Sequence, residues 1–274
     1  MRYLIASDID RTLIKSSNSD VSDDTKSIIE KLRNNNVFTI ASGRPLNNIK
    51  RLFKDYCDYI IGSNGAIVYD CKNDIIIYKD YIDKNRVSDI VKIVGNNYKK
   101  ICFCNEEGWN IKANYKYKLR YIEENIIDDL NISFKVLKIE IYYDNIKCLN
   151  QVYDELSRYN DIDIFKVIKS DGTGYIEVIN NGNDKYNAIK LLLEKENISN
   201  DYLITFGDNI NDLSMIKNAK YGVAVEDALK EVLSVCKYIT KSCKEDGVFY
   251  FLNNNFDLEK NELIEKKQIP KMKK

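Results

Sequence analysis

Histidine is absent from this sequence. That removes Ser-His-Asp and Cys-His catalysis and every histidine-ligated metal site, and leaves carboxylate, lysine and hard-cation chemistry. Net charge is absent too, because 42 Lys and Arg balance 42 Asp and Glu; no global field draws the chain to nucleic acid or to an anionic membrane. No apolar run approaches the roughly 20 residues of a spanning helix. Met1-Arg2 leads straight into a strand pattern with no signal-peptide layout, so the expected location is the cytoplasm. The seven cysteines are odd in number and scattered, which fits reduced thiols rather than a disulfide framework. Cys102 and Cys104 form a lone C-x-C on a predicted strand, and without histidine or a second cysteine pair they do not read as a zinc site.

What is present is enough for a sizeable core: 44% hydrophobic and 31% charged residues over 274 positions, a length that suits two moderate domains. The apolar run Tyr3 to Ala6 predicts a strand buried on both faces, ending in Asp8-Ile9-Asp10-Arg11-Thr12. Val37 to Ala41 ends in Ser42-Gly43-Arg44-Pro45, and Tyr59 to Ile61 ends in Gly62-Ser63-Asn64-Gly65, with helical spacing between. This repeated strand, polar turn and helix is the signature of a parallel sheet whose turns share one edge. Ile67–Tyr69 and Ile75–Tyr78 read as a hairpin. From about Asp83 the order changes to α+β, with two β-α-β units expected and an irregular lysine- and tyrosine-rich stretch between the strands at Ile101–Phe103 and Val136–Tyr143, and the core pattern resumes at Lys185. The boundaries drawn from this are core 1–82, inserted α+β cap 83–184, core 185–254, and a charged tail 255–274 that begins as a frayed helix near Asn253 and ends in the basic stretch Lys266 to Lys274.

Asp8, Asp10, Asp208 and Asp212 fall at predicted strand ends or one turn beyond. Acids converging on one sheet edge repel unless a cation is present, and an all-oxygen set with room for substrate suits Mg²⁺. Side chains repeat every two residues in an extended strand end, so Asp8 and Asp10 reach one reacting centre. One can attack phosphorus while the other moves a proton. Ser42, Asn64 and Lys185 then supply donors and positive charge to a phosphoryl group. Taken singly, each feature has a plainer reading: a chance D-x-D-x-T, a helix cap before Pro45, a turn at Asn64-Gly65, a solvated lysine. Their order and their placement at strand ends and a helix start favour the catalytic reading.

The four stretches resemble the motifs of the haloacid dehalogenase superfamily, and the layout resembles its Cof-like branch, with an α/β cap inserted in a Rossmann-like parallel-sheet core. The resemblance reaches to about Leu252. It implies that Asp8 is the nucleophile, Asp10 the general acid/base, Ser42 the hydroxyl residue and Lys185 the motif lysine. It further implies Mg²⁺ held by Asp8, the main-chain carbonyl of Asp10 and Asp208, with Asp212 and Asn211 supporting the metal or the phosphate. Gly43, Arg44 and Asn64 stand at positions that contact phosphate in such enzymes. One departure is Arg11, where the family usually has glycine, and strain is expected in the turn after Asp10. The expected activity is Mg²⁺-dependent hydrolysis of a small phosphorylated metabolite, a sugar phosphate or similar, through an aspartyl phosphate. The alternatives are a phosphomutase of the same superfamily and a non-catalytic module sensing a phosphometabolite. Tyr115, Lys116, Tyr117, Lys118 and Arg120 of the cap offer contacts to an anionic or sugar ligand, though a solvated surface is the plainer reading, and the turn Asp171 to Gly174 could face the core.

Overall fold

The computed structural model describes residues 1–16 and 19–264. In chain order its strands are β1 (Leu4–Ser7), β2 (Val37–Ala41), β3 (Tyr59–Gly62), β4 (Ile67–Asp70), β5 (Ile75–Lys79), β6 (Lys100–Cys104), β7 (Trp109–Ala113), β8 (Glu124–Ile126), β9 (Lys138–Tyr143), β10 (Ile162–Ile168), β11 (Gly174–Asn180), β12 (Leu203–Gly207), β13 (Tyr221–Val225), β14 (Tyr238–Thr240), β15 (Phe256–Asp257) and β16 (Glu262–Leu263). The helices are α1 (Asp23–Arg33), α2 (Leu46–Phe53), α3 (Lys84–Val94), α4 (Ile146–Leu156), α5 (Lys185–Glu196), α6 (Leu213–Asn218), α7 (Lys230–Val235) and α8 (Gly247–Asn255).

One sheet has the order β14-β13-β12-β1-β2-β3-β4-β5. Neighbours from β14 to β3 run parallel, and β4 and β5 add an antiparallel hairpin. β1 takes the centre because all four of its residues are buried and both faces are covered. Ile5 joins a cluster with Ile28 and Leu32 of α1 and Phe251 of α8, while Leu4 and Ala6 join one with Ile189 and Leu192 of α5 and Met215 of α6. α1 starts where Ser22 caps it, its side chain accepting from the Thr25 N–H.

β6 to β11 are threaded between β5 and β12 and form a separate sheet of order β10-β11-β9-β6-β7-β8, antiparallel except for β7 beside β8. α3 and α4 cover one face of it, over Ile101, Phe103, Ile139, Ile141 and Ile176. The two β-α-β units expected here are corrected to one split unit, β9-α4-β10 with β11 between the two strands. The tight turn from Lys169 to Thr173 makes β10 and β11 an antiparallel hairpin, so β11 occupies the place beside β9. The two ends of the insertion meet at Asp80: the amides of Asn180 and Asn183 both donate to its Oδ2, at 2.8 and 3.0 Å, and the Asp80 N–H donates to the Ala66 carbonyl.

The stretch from Asn253, expected as a frayed helix and tail, is instead packed as far as it is described. α8 continues to Asn255, and β15 pairs with β16. The reason is Phe256, buried with its ring 5.2 Å from that of Tyr3, whose hydroxyl also accepts the Leu263 N–H. Lys266 to Lys274 lie outside the described residues. Among the described residues no helix is long and apolar enough to cross a membrane.

Candidate active site

The sheet itself joins the two halves of the site. β1 pairs with β12 in parallel, Ser7 opposite Phe206, and the Asp8 N–H donates to the Phe206 carbonyl at 3.0 Å. Asp8 and Asp208 therefore leave the sheet side by side, at the point where the chain passes from β1 to β2 on one flank and β12 closes the other. That crevice at the carboxyl ends of the strands is where open α/β sheets place ligands. Asp212 folds back over Gly207, where a Cβ would lie 2.5 Å from the Asp212 Cβ, so only glycine permits the approach. One Asp212 oxygen accepts the N–H groups of Asp208 and Asn209 at 2.9 and 3.0 Å, and the other accepts the Lys185 ammonium at 2.5 Å. Lys185, the first residue of α5 and fully buried, also donates to Asp8 Oδ1 at 2.6 Å.

One oxygen from each of Asp8, Asp208 and Asp212 falls within 4.8 Å of the others. Burial pushes the Asp8 carboxyl well above its ordinary range; Lys185 opposes this and the charges of Asp212 and Asp208 add to it. Asp208 is pushed up to about 7, by burial and then by Asp212, against the pull of Arg11, Lys185 and the Thr12 hydroxyl. Lys185 also moves up, for a different reason: burial alone would depress it, but Asp212 and Asp8 together hold its proton more firmly than usual. The set fits a hard divalent cation. Its donors are all oxygen, and Asp208 Oδ2 is buried without a hydrogen-bond partner among the described residues, while its Oδ1 accepts from Thr12. The Arg11 guanidinium stands 3.7 Å from Oδ2. Arg11 does adopt the left-handed backbone expected of glycine there, φ 63°, and its side chain reaches over to donate to the Asp227 carbonyl.

Asp10 stands apart from this cluster, with 43% of its side chain exposed. Arg44 clamps it through two hydrogen bonds, 2.8 Å from Nε and 2.5 Å from Nη2. Arg44 thus serves the acid, and its own guanidinium is held more strongly protonated by Asp10 against the effect of burial. Ser42 and Gly43 line the chamber in front of Asp8, and the Ser42 hydroxyl oxygen accepts the Arg44 N–H at 3.3 Å. At Gly43 a Cβ would sit 2.9 Å from Asn64 Oδ1, so a side chain there would displace the Asn64 amide. Asn64, at φ 58°, does not line the chamber; it accepts from Asn211 at 2.9 Å and donates to Glu177 of β11 at 2.8 Å, stitching core to insertion.

The chamber between the two sheets has a volume of about 690 Å³. Its roof is the helix-free face of the second sheet, where Lys138, Glu140 and Tyr142 of β9 alternate with Ile139, Ile141 and Tyr143. None of these roof residues was singled out from the sequence. The period-two alternation of charged and apolar residues over 138–143 is the signal that could have found them. Lys138 is buried, bonded to Glu140 at 2.6 Å and 3.5 Å from Glu177. Tyr142 stacks on Tyr175, and Trp109 on Tyr121. Of the residues suggested for ligand contact, Tyr115 and Arg120 line the chamber, as do Thr173 and Gly174 of the turn. Tyr117 lines a side pocket of about 170 Å³, and Lys116 and Lys118 are exposed on neither wall.

The family profile of the haloacid dehalogenase-like hydrolases matches residues 5–252. A Bacillus subtilis protein named 5-amino-6-(5-phospho-D-ribitylamino)uracil phosphatase YcsE is 27% identical over 252 residues, covering 89% of this chain and 92% of its own. A second of that name, YitU of the same organism, is 22% identical, covering 93% and 98%. Among solved structures, a haloacid dehalogenase-like hydrolase from Bacteroides thetaiotaomicron superposes with a TM-score of 0.78 at 25% identity, over 93% of this chain and all of the other. A sugar phosphatase of subclass IIB superposes with a TM-score of 0.77 at 21% identity, over 92% and 98%.

Proposed function

The chain belongs to the haloacid dehalogenase-like hydrolases and is a phosphatase of that family, and from that premise we propose that it hydrolyses a small phosphomonoester with Mg²⁺, through a phosphoryl group carried on Asp8. The observation that carries this reading is the buried Asp8, Lys185 and Asp212 linkage beside Asp208, with Asp10 in its Arg44 clamp at the chamber wall. Asp8 and Asp208 would hold the cation with the main-chain carbonyl of Asp10, and Asp212, whose oxygens already accept from Lys185 and two N–H groups, supports them. When bound, Mg²⁺ supplies positive charge to the phosphoryl oxygens and keeps both carboxylates ionised.

A carboxylate oxygen of Asp8 forms a bond to phosphorus as the ester P–O bond breaks, and Asp10 gives its proton to the departing alcohol oxygen. Water then attacks the phosphoryl group, Asp10 takes a proton from it, and Asp8 and inorganic phosphate separate. Lys185 holds Asp8 in place and offsets its charge, while Ser42 and the main chain at Gly43 face the phosphoryl oxygens.

The roof determines which alcohol is accepted. Stacked aromatic faces with Lys100 and Arg120 beside them suit a polyhydroxylated or heterocyclic leaving group. Sugar phosphates and the phosphoribityl-pyrimidine named for the two Bacillus proteins belong in the panel that tests it. Asp8→Asn is expected to abolish release of p-nitrophenolate from p-nitrophenyl phosphate, and EDTA to suppress it reversibly. Full turnover by that variant would overturn the mechanism.

A further inference from the structure

We infer that Glu123, on the inserted unit, is a positioning residue for the acid/base Asp10, acting through Asn48 and Arg44. The inference rests on the phosphatase reading above. An unbroken line of side chains connects the two. Arg44 Nη1 donates to Asn48 Oδ1 at 3.1 Å, and Asn48 Nδ2 donates to Glu123 Oε2 at 3.0 Å. Arg44 holds both oxygens of Asp10. The polarity is consistent throughout: carboxylate, amide N–H, amide carbonyl, guanidinium, carboxylate. Asn48 is fully buried, and its side chain both donates and accepts here, which no carboxylate or hydrocarbon of that size does.

Glu123 is fixed from its own side as well. Its carbonyl accepts the Trp109 N–H at 2.9 Å, so tightly against the chain that a Cβ on Gly108 would approach that oxygen to 1.9 Å. Its Oε1 accepts Arg51 Nε at 2.6 Å, one helical turn along α2 from Asn48. Burial would raise the Glu123 carboxyl, but the bonds from Arg51 and Asn48 win and hold it below its ordinary range. With Glu123 seated on α2, the Arg44 guanidinium has one orientation that satisfies both neighbours, and that orientation aims Asp10 at the ester oxygen. Networks of this kind fix geometry more than they add stability.

Leaving-group dependence separates this role from a merely structural one. p-Nitrophenolate departs without a proton, whereas a simple alkoxide needs one from Asp10. A positioned acid contributes about 10²–10⁴-fold. Glu123→Ala is expected to lower kcat/KM for an alkyl phosphate by roughly tenfold or more, while p-nitrophenyl phosphate changes by no more than about threefold. Asn48→Ala, which cuts the line on the core side, must show the same skew even if Glu123→Ala does not fold. Glu123→Gln, which keeps an accepting oxygen for Asn48, must recover most of the alkyl activity. Equal losses on the two esters, or no loss, overturn the inference. Asp10→Asn is the control: an Asp10→Asn enzyme without the skew would remove the acid role of Asp10, and the inference falls with it. With the control skewed and the Glu123 variants not, the phosphatase reading stands and Glu123 has no part in it.

Discussion

Arg11 sits in a backbone conformation that ordinarily selects glycine, at a strain on the order of 1 kcal/mol, and spends its charge 3.7 Å from the orphaned oxygen of Asp208. The same guanidinium that relieves Asp208 opposes a divalent cation approaching it. Arg11→Gly is expected to bind Mg²⁺ severalfold more tightly by calorimetry, with a thermal stability within about 1 kcal/mol of the parent, because relief of strain and loss of a half-exposed ion pair offset one another. Unchanged or weaker Mg²⁺ binding would show that the guanidinium does not act on the cation. At this scale the sequence was informative about placement, putting Asp8 and Asp208 at strand ends and Lys185 at a helix start, and the structure brings the three together. It was silent on Arg44 as a clamp for Asp10, and on Asn64 as a link to Glu177, because those roles depend on partners far away in the chain.

Single elements carry two further expectations. On β9, Lys138 is enclosed by Glu140 and Glu177, which raise its affinity for the proton against the opposing effect of burial. Lys138→Met would leave two carboxylates facing each other in a confined space, and a loss of roughly 3 kcal/mol is expected by denaturant titration. On α2, the Glu123 contact is pH-dependent with a defined sign. Its folded carboxyl lies below the ordinary glutamate value of about 4.3, so its stabilising effect is complete above that value and is lost as pH falls through the depressed one. The melting-temperature difference between the parent and Glu123→Gln should therefore be constant from pH 7 to about 5 and shrink below about 4. Apart from β7 and β8, which fall in the stretch expected to be irregular and are held by the ladder that starts at β6, the strands of the two sheets were readable from apolar runs and period-two alternation. The split unit around β11 and the packed hairpin after α8 were not, since each is fixed by a pairing partner: β9 for the first, Tyr3 for the second.

At the scale of the whole molecule, one hydrophobic core lies on each face of the large sheet and a third under the small one, and several side chains cross between the sheets. Cys104 is one that does, its sulfur 3.1 Å from the Ser63 hydroxyl, with burial pushing its thiol up to about 11. Cys57 is sealed inside the large core, its thiol raised far above the usual range by burial and by Cys71. Iodoacetamide mapping by mass spectrometry is expected to reach Cys104 before Cys57 in native buffer, since the first needs only separation of the sheets and the second needs unfolding. Equal rates would make the two units a single cooperative one. The meeting of both connecting segments at Asp80 adds a mechanical consequence. A swing of the inserted unit about this region would carry the rim bearing Glu123 and would have to break the Asn64–Glu177 and Asn48–Glu123 hydrogen bonds that also join the two units. On the proposal above, a swing that widened the mouth would also withdraw Glu123 from Asn48, leaving the acid armed with the jaw shut and slack with it open.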